Sequence, residues 1–430
     1  MELGQRLPEI RGPIPGADSA RWVEVLARTE CPSLTERRAR RAERAGAPND
    51  PIVWAEAKGA NVVDVDGNVF VDLIAGFSVA AVGHGHPEVV EAVRAQAGKL
   101  LHALGDVHPS EPKIRLLERL AALAPMDDAR VILGQNGADA LAAAMKTAVL
   151  HTGKPGVLAF EGGYHGLMYG PLALCGFAPP FREPFAAQLN PHVRFAPWGA
   201  LDVERHFTDD VGAVVVEPAL GRGGLRFPPE GFLRALREAC DRRDALLVFD
   251  EIFTGLGRTG RRWAHEADGV VPDLLCAGKA MGGTLPVSAC IGGIEVMRAW
   301  GDPRGAAIHT ATFSGHPLAC AASLASLEIL ERDGLAARAA EVGARWTGAL
   351  REALGGLDAV KEVRGRGLMV GVELHDGARV LRLVAELLAE GWITLPAGPR
   401  AEVLQLTPPL NVDEALLDAF TRTLARRLSS

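Results

Sequence analysis

The chain is poor in lysine, in tyrosine and in long apolar runs. Seven of its 430 residues are lysine although Lys and Arg together number 46, so arginine is the default cation and each lysine stands out. Tyrosine occurs twice, at Tyr164 and Tyr169. Apolar runs are broken by Gly, Pro, Asp or His well before the roughly 18 residues of a membrane helix, so no span is expected. Six cysteines (Cys31, Cys175, Cys240, Cys276, Cys290, Cys320) lack paired spacing, which excludes a disulfide framework and fits reduced thiols. "MELGQRLPEI" has neither the basic start nor the apolar stretch of a secretory leader, and the chain is expected to be cytoplasmic. A net charge of -7 argues against nucleic-acid binding, and the basic run "ERRARRAERAG" reads as a solvated helical face. His84 and His86 in "HGH" have no third ligand at metal spacing, so no metal site is assigned.

What is present has a clear order. "NVVDVDGNVFVDL" alternates apolar and polar residues about Asp66-Gly67, which predicts a hairpin. Pro87 opens a helix with Val90, Val93, Ala97, Leu100 and Leu101 at helical spacing. Up to about residue 300, short apolar runs such as "ARVIL", "GAVVVEP" and "ALLVFDE" alternate with helical stretches such as "GFLRALREACDRR". Continuous apolar strands between helices imply a parallel sheet covered on both faces. Beyond Ala319, long Ala- and Leu-rich helices flank the strand "LMVGVEL". The expected fold is α/β: an N-terminal segment (1–75), a large domain with a mostly parallel sheet (76–318) and a smaller α+β domain (319–430).

Ligands of an open α/β sheet bind beyond the carboxyl ends of its strands. After "ARVIL" comes "GQNGADALAAAMK", a glycine turn entering a helix whose first N–H groups can seat a phosphate. After "GVLAF" comes "EGGYHG", with Tyr164 beside His165; after "GAVVV" comes Glu217, and after "ALLVF" come Asp250 and Glu251. "GLGRTG" (255–260) matches a dinucleotide fingerprint, but an acidic pair precedes it and no amphipathic helix follows, so the match is read as chance. Lys279 lies 29 residues beyond Asp250, in the glycine-rich "VVPDLLCAGKAMGG". A phosphate seat, an aromatic plate, a strand-end aspartate and such a lysine are the parts that hold pyridoxal phosphate.

In this order the motifs resemble the class III pyridoxal-phosphate aminotransferases. "AKGANVVDVDGNVFVDLIAG", "VGHGHPEVVEAV", "FEGGYHG", "LLVFDEIFTGLGRTG", "PDLLCAGKAMGG", "HTATFSGHPLACAA", "VRGRGLMVGVEL" and "TPPL" follow one another from about residue 50 to 412. The resemblance implies fold type I and a Schiff base on Lys279, with Asp250 facing the pyridine nitrogen. It further implies Tyr164 on one ring face and Ile252 on the other, with His165 and Glu217 in the same site. Backbone N–H groups of Gly137 and Ala138 would hold the phosphate, joined by Thr312 of a second subunit, hence a homodimer with shared active sites. An amine donor and a keto-acid acceptor would be the substrates.

Departures from the family bear on the substrate. "NGADA" lacks the usual phosphate-binding hydroxyl, and Phe253 stands where many members carry glutamine. Arg222 stands where many have glutamate, and Gln405 where many have the arginine that binds an α-carboxylate. Phe77, Arg222 and Gln405 are the candidates for the substrate side, and a carboxylate remote from the reacting carbon is the expectation. Transamination through Lys279 is the expected activity; the nearest alternative is an isomerase on the same site, an aminomutase or a racemase, which nothing in these motifs excludes.

Overall fold

The computed structural model describes residues 2–46, 51–301 and 306–429. The chain forms two compact units, one continuous from Pro87 to Ala336, the other made of the residues up to His86 together with those from Ala337 onward. Among the described residues, no helix is long and apolar enough to cross a membrane.

The continuous unit is built on a seven-stranded sheet in the order Ala129–Gly134, Ser288–Gly293, Leu274–Ala277, Leu246–Asp250, Val211–Val216, Gly156–Phe160, Val193–Ala196. The last five strands are mutually parallel. Ser288–Gly293 runs antiparallel to both its neighbours, so Ala129–Gly134 points the same way as the five. Every residue of Val211–Val216 and Leu246–Asp250 is buried, as continuous apolar runs require, whereas the edge strand Val193–Ala196 is half-buried. Helix Gly137–Thr152 packs Leu141, Ala144 and Ala148 against Val157, Val215, Val248 and Leu274. The carboxyl ends of six strands therefore open on one side of the sheet, and the motifs read as strand-end loops all emerge there.

The second unit holds the hairpin about Asp66-Gly67, with Asn61–Asp64 antiparallel to Val69–Asp72. Trp392–Ile393 then adds in parallel to Val69–Asp72. The N–H of Val71 donates to the Gly391 carbonyl at 2.8 Å, and that of Thr407 to the Leu73 carbonyl at 2.7 Å. The amino-terminal segment thus belongs to one body with the carboxyl-terminal residues, and the units divide at 86/87 and 336/337 rather than at the 75/76 and 318/319 of the sequence reading. Such pairing spans more than 300 residues and leaves no local signature.

One detail differs from the sequence reading. Helix Pro87–Ala97 forms, but it buries Val89, and Leu100 and Leu101 lie beyond its end at 41% and 58% exposure. The predicted apolar face is therefore only partly covered. Ala75, Gly76, Phe77 and Ser78 form a left-handed turn with φ of 49°, 56°, 65° and 66°. The Asp72 carboxylate holds this turn, accepting the N–H groups of Ile74 and Gly76 at 2.8 Å each and meeting the His84 ring at 2.8 Å.

Candidate active site

The centre of the site is a buried acid pair with a histidine. Asp250, last residue of its strand, accepts the Ile252 N–H at 3.1 Å on one oxygen and meets the His165 Nδ1 at 2.7 Å on the other. Burial alone would lower the pKa of His165, but the hydrogen bond and charge of Asp250, with Glu217 behind, outweigh it and hold the imidazole above its ordinary range. Glu217 accepts the Tyr164 N–H at 2.8 Å and the Gly221 N–H at 2.9 Å, tying the turn after Gly156–Phe160 to the loop after its own strand. Burial pushes its carboxyl up to about 7, aided by Asp250 and opposed by His165 and the two N–H donors.

That carboxyl makes a pH prediction. A carboxyl protonated more readily when folded than at its ordinary 4.5 withdraws stability as pH rises from there to about 7. Glu217→Gln removes this slope. It also sets an amide NH2 against one of the two backbone donors, so an overall loss of roughly 1–3 kcal/mol is expected. Denaturant midpoints at pH 5 and pH 7 check both effects.

Lys279 follows the strand Leu274–Ala277 directly, in a short 3-10 turn after Gly278. Its φ of 43° is left-handed, a conformation costing a non-glycine residue about 1–3 kcal/mol and concentrated at functional sites. Lys279 is partly accessible, yet densely enough surrounded that desolvation pushes its amine below the ordinary lysine value. Asp250 and Glu217 pull it back up, and Arg222 pushes it down. Its Nζ sits 4.8 Å from the centre of the Phe253 ring.

An anion seat lies at the start of helix Gly137–Thr152. Asn136 caps it by accepting the Asp139 N–H at 3.1 Å, and the Asp139 carboxylate turns back to the Gln135 N–H at 2.9 Å. The N–H groups of Gly137 and Ala138 are left at the first turn, where the helix dipole favours an anion. A side chain on Gly137 would meet Ile252 Cδ1 at 2.8 Å, so Ile252 lies close against this turn and would have to shift to admit one. Ser288 donates to the Asn136 carbonyl at 2.6 Å and fixes the cap, a contact missed in the sequence because serine in "PVSAC" carries no local signal.

The structure thus brings Lys279, Asp250, His165, Glu217, Tyr164, Ile252, Gly137 and Ala138 together at one end of the sheet. Arg222 joins them with its guanidinium 4.9 Å from the Tyr164 ring centre. Thr312 is exposed in the same unit. Phe77 and Gln405 belong to the other unit. Phe77 is 61% exposed on the left-handed turn, and Gln405 is buried on the strand Val403–Leu406, donating to Thr407 at 3.4 Å. "GLGRTG" folds as tight turns closed by Gly257 N–H to Arg261 carbonyl at 3.0 Å and leads into a 3-10 turn, Ala264–Ala267, so no dinucleotide-binding helix follows it. The site fits pyridoxal phosphate: an anion seat, an aromatic side chain, a buried aspartate held by two partners and a lysine of lowered pKa converge within one unit.

Comparison with known proteins agrees. The sequence profile described as Aminotransferase class-III matches residues 43–428. The acetylornithine aminotransferase of Methanopyrus kandleri is 40% identical over 381 residues, covering 88% of this chain and 94% of that protein. That of Mycobacterium tuberculosis is 39% identical over 378 residues, covering 87% and 91%. An ornithine aminotransferase structure from Toxoplasma gondii, with partial occupancy of pyridoxal phosphate at its active site, superposes with a TM-score of 0.78 at 30% identity, covering 88% of this chain and 90% of that one. The chain belongs to the class III aminotransferases.

Proposed function

We propose that Lys279 is the covalent anchor of the cofactor and the proton carrier of the reaction, with Asp250 facing the cofactor's ring nitrogen. The protein is a pyridoxal-phosphate-dependent aminotransferase, passing an amino group from an amine donor to a keto acid. The observation that carries the residue assignment is the convergence of Lys279 and Asp250 beyond adjacent parallel strands with His165, which reaches Asp250 from beyond the strand Gly156–Phe160. When bound, the cofactor supplies an aldehyde carbon to receive the amino group and a ring that draws electrons from the reacting carbon. Lys279, its amine held below the ordinary pKa, acts as nucleophile, then takes a proton and returns it. Asp250 keeps its carboxylate oriented through His165 and the Ile252 N–H. Tyr164 and Ile252 flank the ring, and the first turn at Gly137 and Ala138 receives the phosphate. The isomerase alternative gains nothing from the relatives, which are aminotransferases.

The active unit in this reading is a homodimer, with Thr312 of one protomer completing the phosphate seat of its partner. Its support is an apolar surface around Thr312. Leu101, Leu104, Val107 and Phe313 are 58%, 60%, 67% and 56% exposed. The two loops that carry them touch through Thr310 and Asp106 at 3.2 Å and through the His102 and Phe313 rings. An apolar patch of this kind marks an interface. Free thiols at all six cysteines fit a reducing compartment, the cytoplasm. Light scattering is expected to give twice the chain mass, with activity lost on dilution to monomers; a fully active monomer refutes the shared site. The reaction is tested by screening amine donors, N-acetylornithine among them because of the relatives' activity, against pyruvate and 2-oxoglutarate. Amine exchange that depends on a keto acid is expected. Rearrangement of a single substrate without an acceptor favours the isomerase.

A further inference from the structure

The loop Leu220–Arg226 is closed at its base by two backbone hydrogen bonds, Leu220 N–H to Arg226 carbonyl at 2.9 Å and Arg226 N–H to Leu220 carbonyl at 3.1 Å. Arg222 lies within it, between glycines that allow close packing. A side chain on Gly223 would fall 2.5 Å from the Gly162 carbonyl, and one on Gly221 3.0 Å from the Phe253 ring. Glu217 anchors the loop through the Gly221 N–H. The backbone under Arg222 is thereby fixed against both the Tyr164 turn and the segment that carries Phe253.

The guanidinium itself sits among three rings, 4.9 Å from the centre of Tyr164, 5.1 Å from Phe177 and 5.6 Å from Phe181. The rings also contact one another edge-on or tilted, so they form a cage rather than three separate contacts. A guanidinium among aromatic rings is held by cation–π attraction and partly shielded from water. Its fork of N–H groups matches the two oxygens of a carboxylate, and shielding strengthens such a pair relative to one in water. Arg222 is also close enough to Lys279 for its charge to be felt at the amine.

We propose that Arg222 is the residue that selects the substrate by charge, receiving the carboxylate of the amine donor or of its carbonyl counterpart at the edge of this aromatic cage. The apolar stem of the substrate lies along the rings. The proposal rests on the aminotransferase reading and names the substrate class for it: amines and carbonyl compounds bearing a carboxylate.

The experiment uses cofactor-loaded protein in two arms. In the first, the single half-turnover with donor alone is followed by loss of the yellow colour, comparing 5-aminopentanoate with pentylamine for the parent, Arg222→Gln and Arg222→Lys. Donor alone avoids the keto acid, whose own carboxylate would obscure the comparison. The preference for the amino acid over the plain amine is expected to fall by on the order of 10²-fold in Arg222→Gln, and by less in Arg222→Lys, which keeps the charge but not the fork. In the second arm, calorimetry measures binding of pentanoate and of pentanamide, neither of which can react. Pentanoate binding is expected to weaken at least tenfold in Arg222→Gln while pentanamide binding is unaltered. Equal losses on both donors mean that Arg222 only positions Tyr164 and overturn the proposal. So does a parent that does not bind pentanoate, or a variant that binds it equally well. If the parent turns over neither donor nor any other amine, the aminotransferase reading fails, and the calorimetric arm still reports on Arg222. Should Arg222→Gln prove unfolded by circular dichroism, Arg222→Lys carries both arms.

Discussion

Replacing Lys279 by alanine is expected to leave a folded protein with turnover lowered by at least about 10³-fold, because in the proposed reaction one side chain supplies both the nucleophile and the proton carrier. The fold does not need the amine. Lys279 lies in a 3-10 turn held by the Met281 N–H to Gly278 carbonyl hydrogen bond at 3.0 Å, and alanine retains that backbone. The left-handed φ of 43° persists in the variant, so its stability stays close to the parent's. Borohydride reduction followed by peptide mapping separates the outcomes. In the parent the label is expected on the peptide containing Lys279, and in the variant it is absent. A label on another lysine, such as Lys146, whose amine donates to the Ile308 carbonyl at 2.7 Å, disproves the assignment.

The second large effect is at Asp250. Its carboxylate ends a central strand and meets His165, and Asp250→Ala is expected to lower kcat/KM by roughly 10²–10³-fold, the scale of losing one preorganised electrostatic partner. The same change strips His165 of the group that keeps its pKa raised, and burial then dominates and lowers it. The sign for stability follows. In the parent, a raised histidine pKa contributes stability that is complete below the unfolded value of 6.5 and lost as pH rises through the folded one. In Asp250→Ala that contribution vanishes, so the variant suffers most at acidic pH. Asp250→Asn keeps the shape and can still accept one hydrogen bond, so a smaller stability loss with a similar loss of activity distinguishes charge from packing. Proton NMR of the His165 ring and denaturation at pH 5.5 and 8 measure both.

Much of the fold and part of the site were legible in the sequence for physical reasons. Buried parallel strands must be apolar throughout, so "GAVVV" and "ALLVF" announced themselves, and ligand-facing residues had to follow them. Lys279 was conspicuous because lysine is scarce and its neighbours are small. The aromatic cage was not legible. Phe177 and Phe181 come from "LCGFAPPFREP", an irregular stretch with no periodicity, and only the fold carries them to Arg222. The cap contact of Ser288 likewise depends on an antiparallel strand adding beside Ala129–Gly134. Leu100 and Leu101 have the spacing of a core face, yet sequence spacing cannot tell a face buried within the chain from one that is left bare.

The hydrogen bonds joining Val71 to Gly391 and Leu73 to Ile393 also set an order of events during synthesis. Residues up to His86 leave the ribosome some 300 residues ahead of the strand that completes their sheet, Trp392–Ile393. Pro87–Ala336 is continuous and can close as it emerges, whereas the amino-terminal hairpin has to wait with one sheet edge unpaired while some 300 residues are added. Chains released early, through a stop codon before residue 390, would therefore carry a formed lysine site and an open strand edge, the feature by which partly made proteins pair with one another and with chaperones.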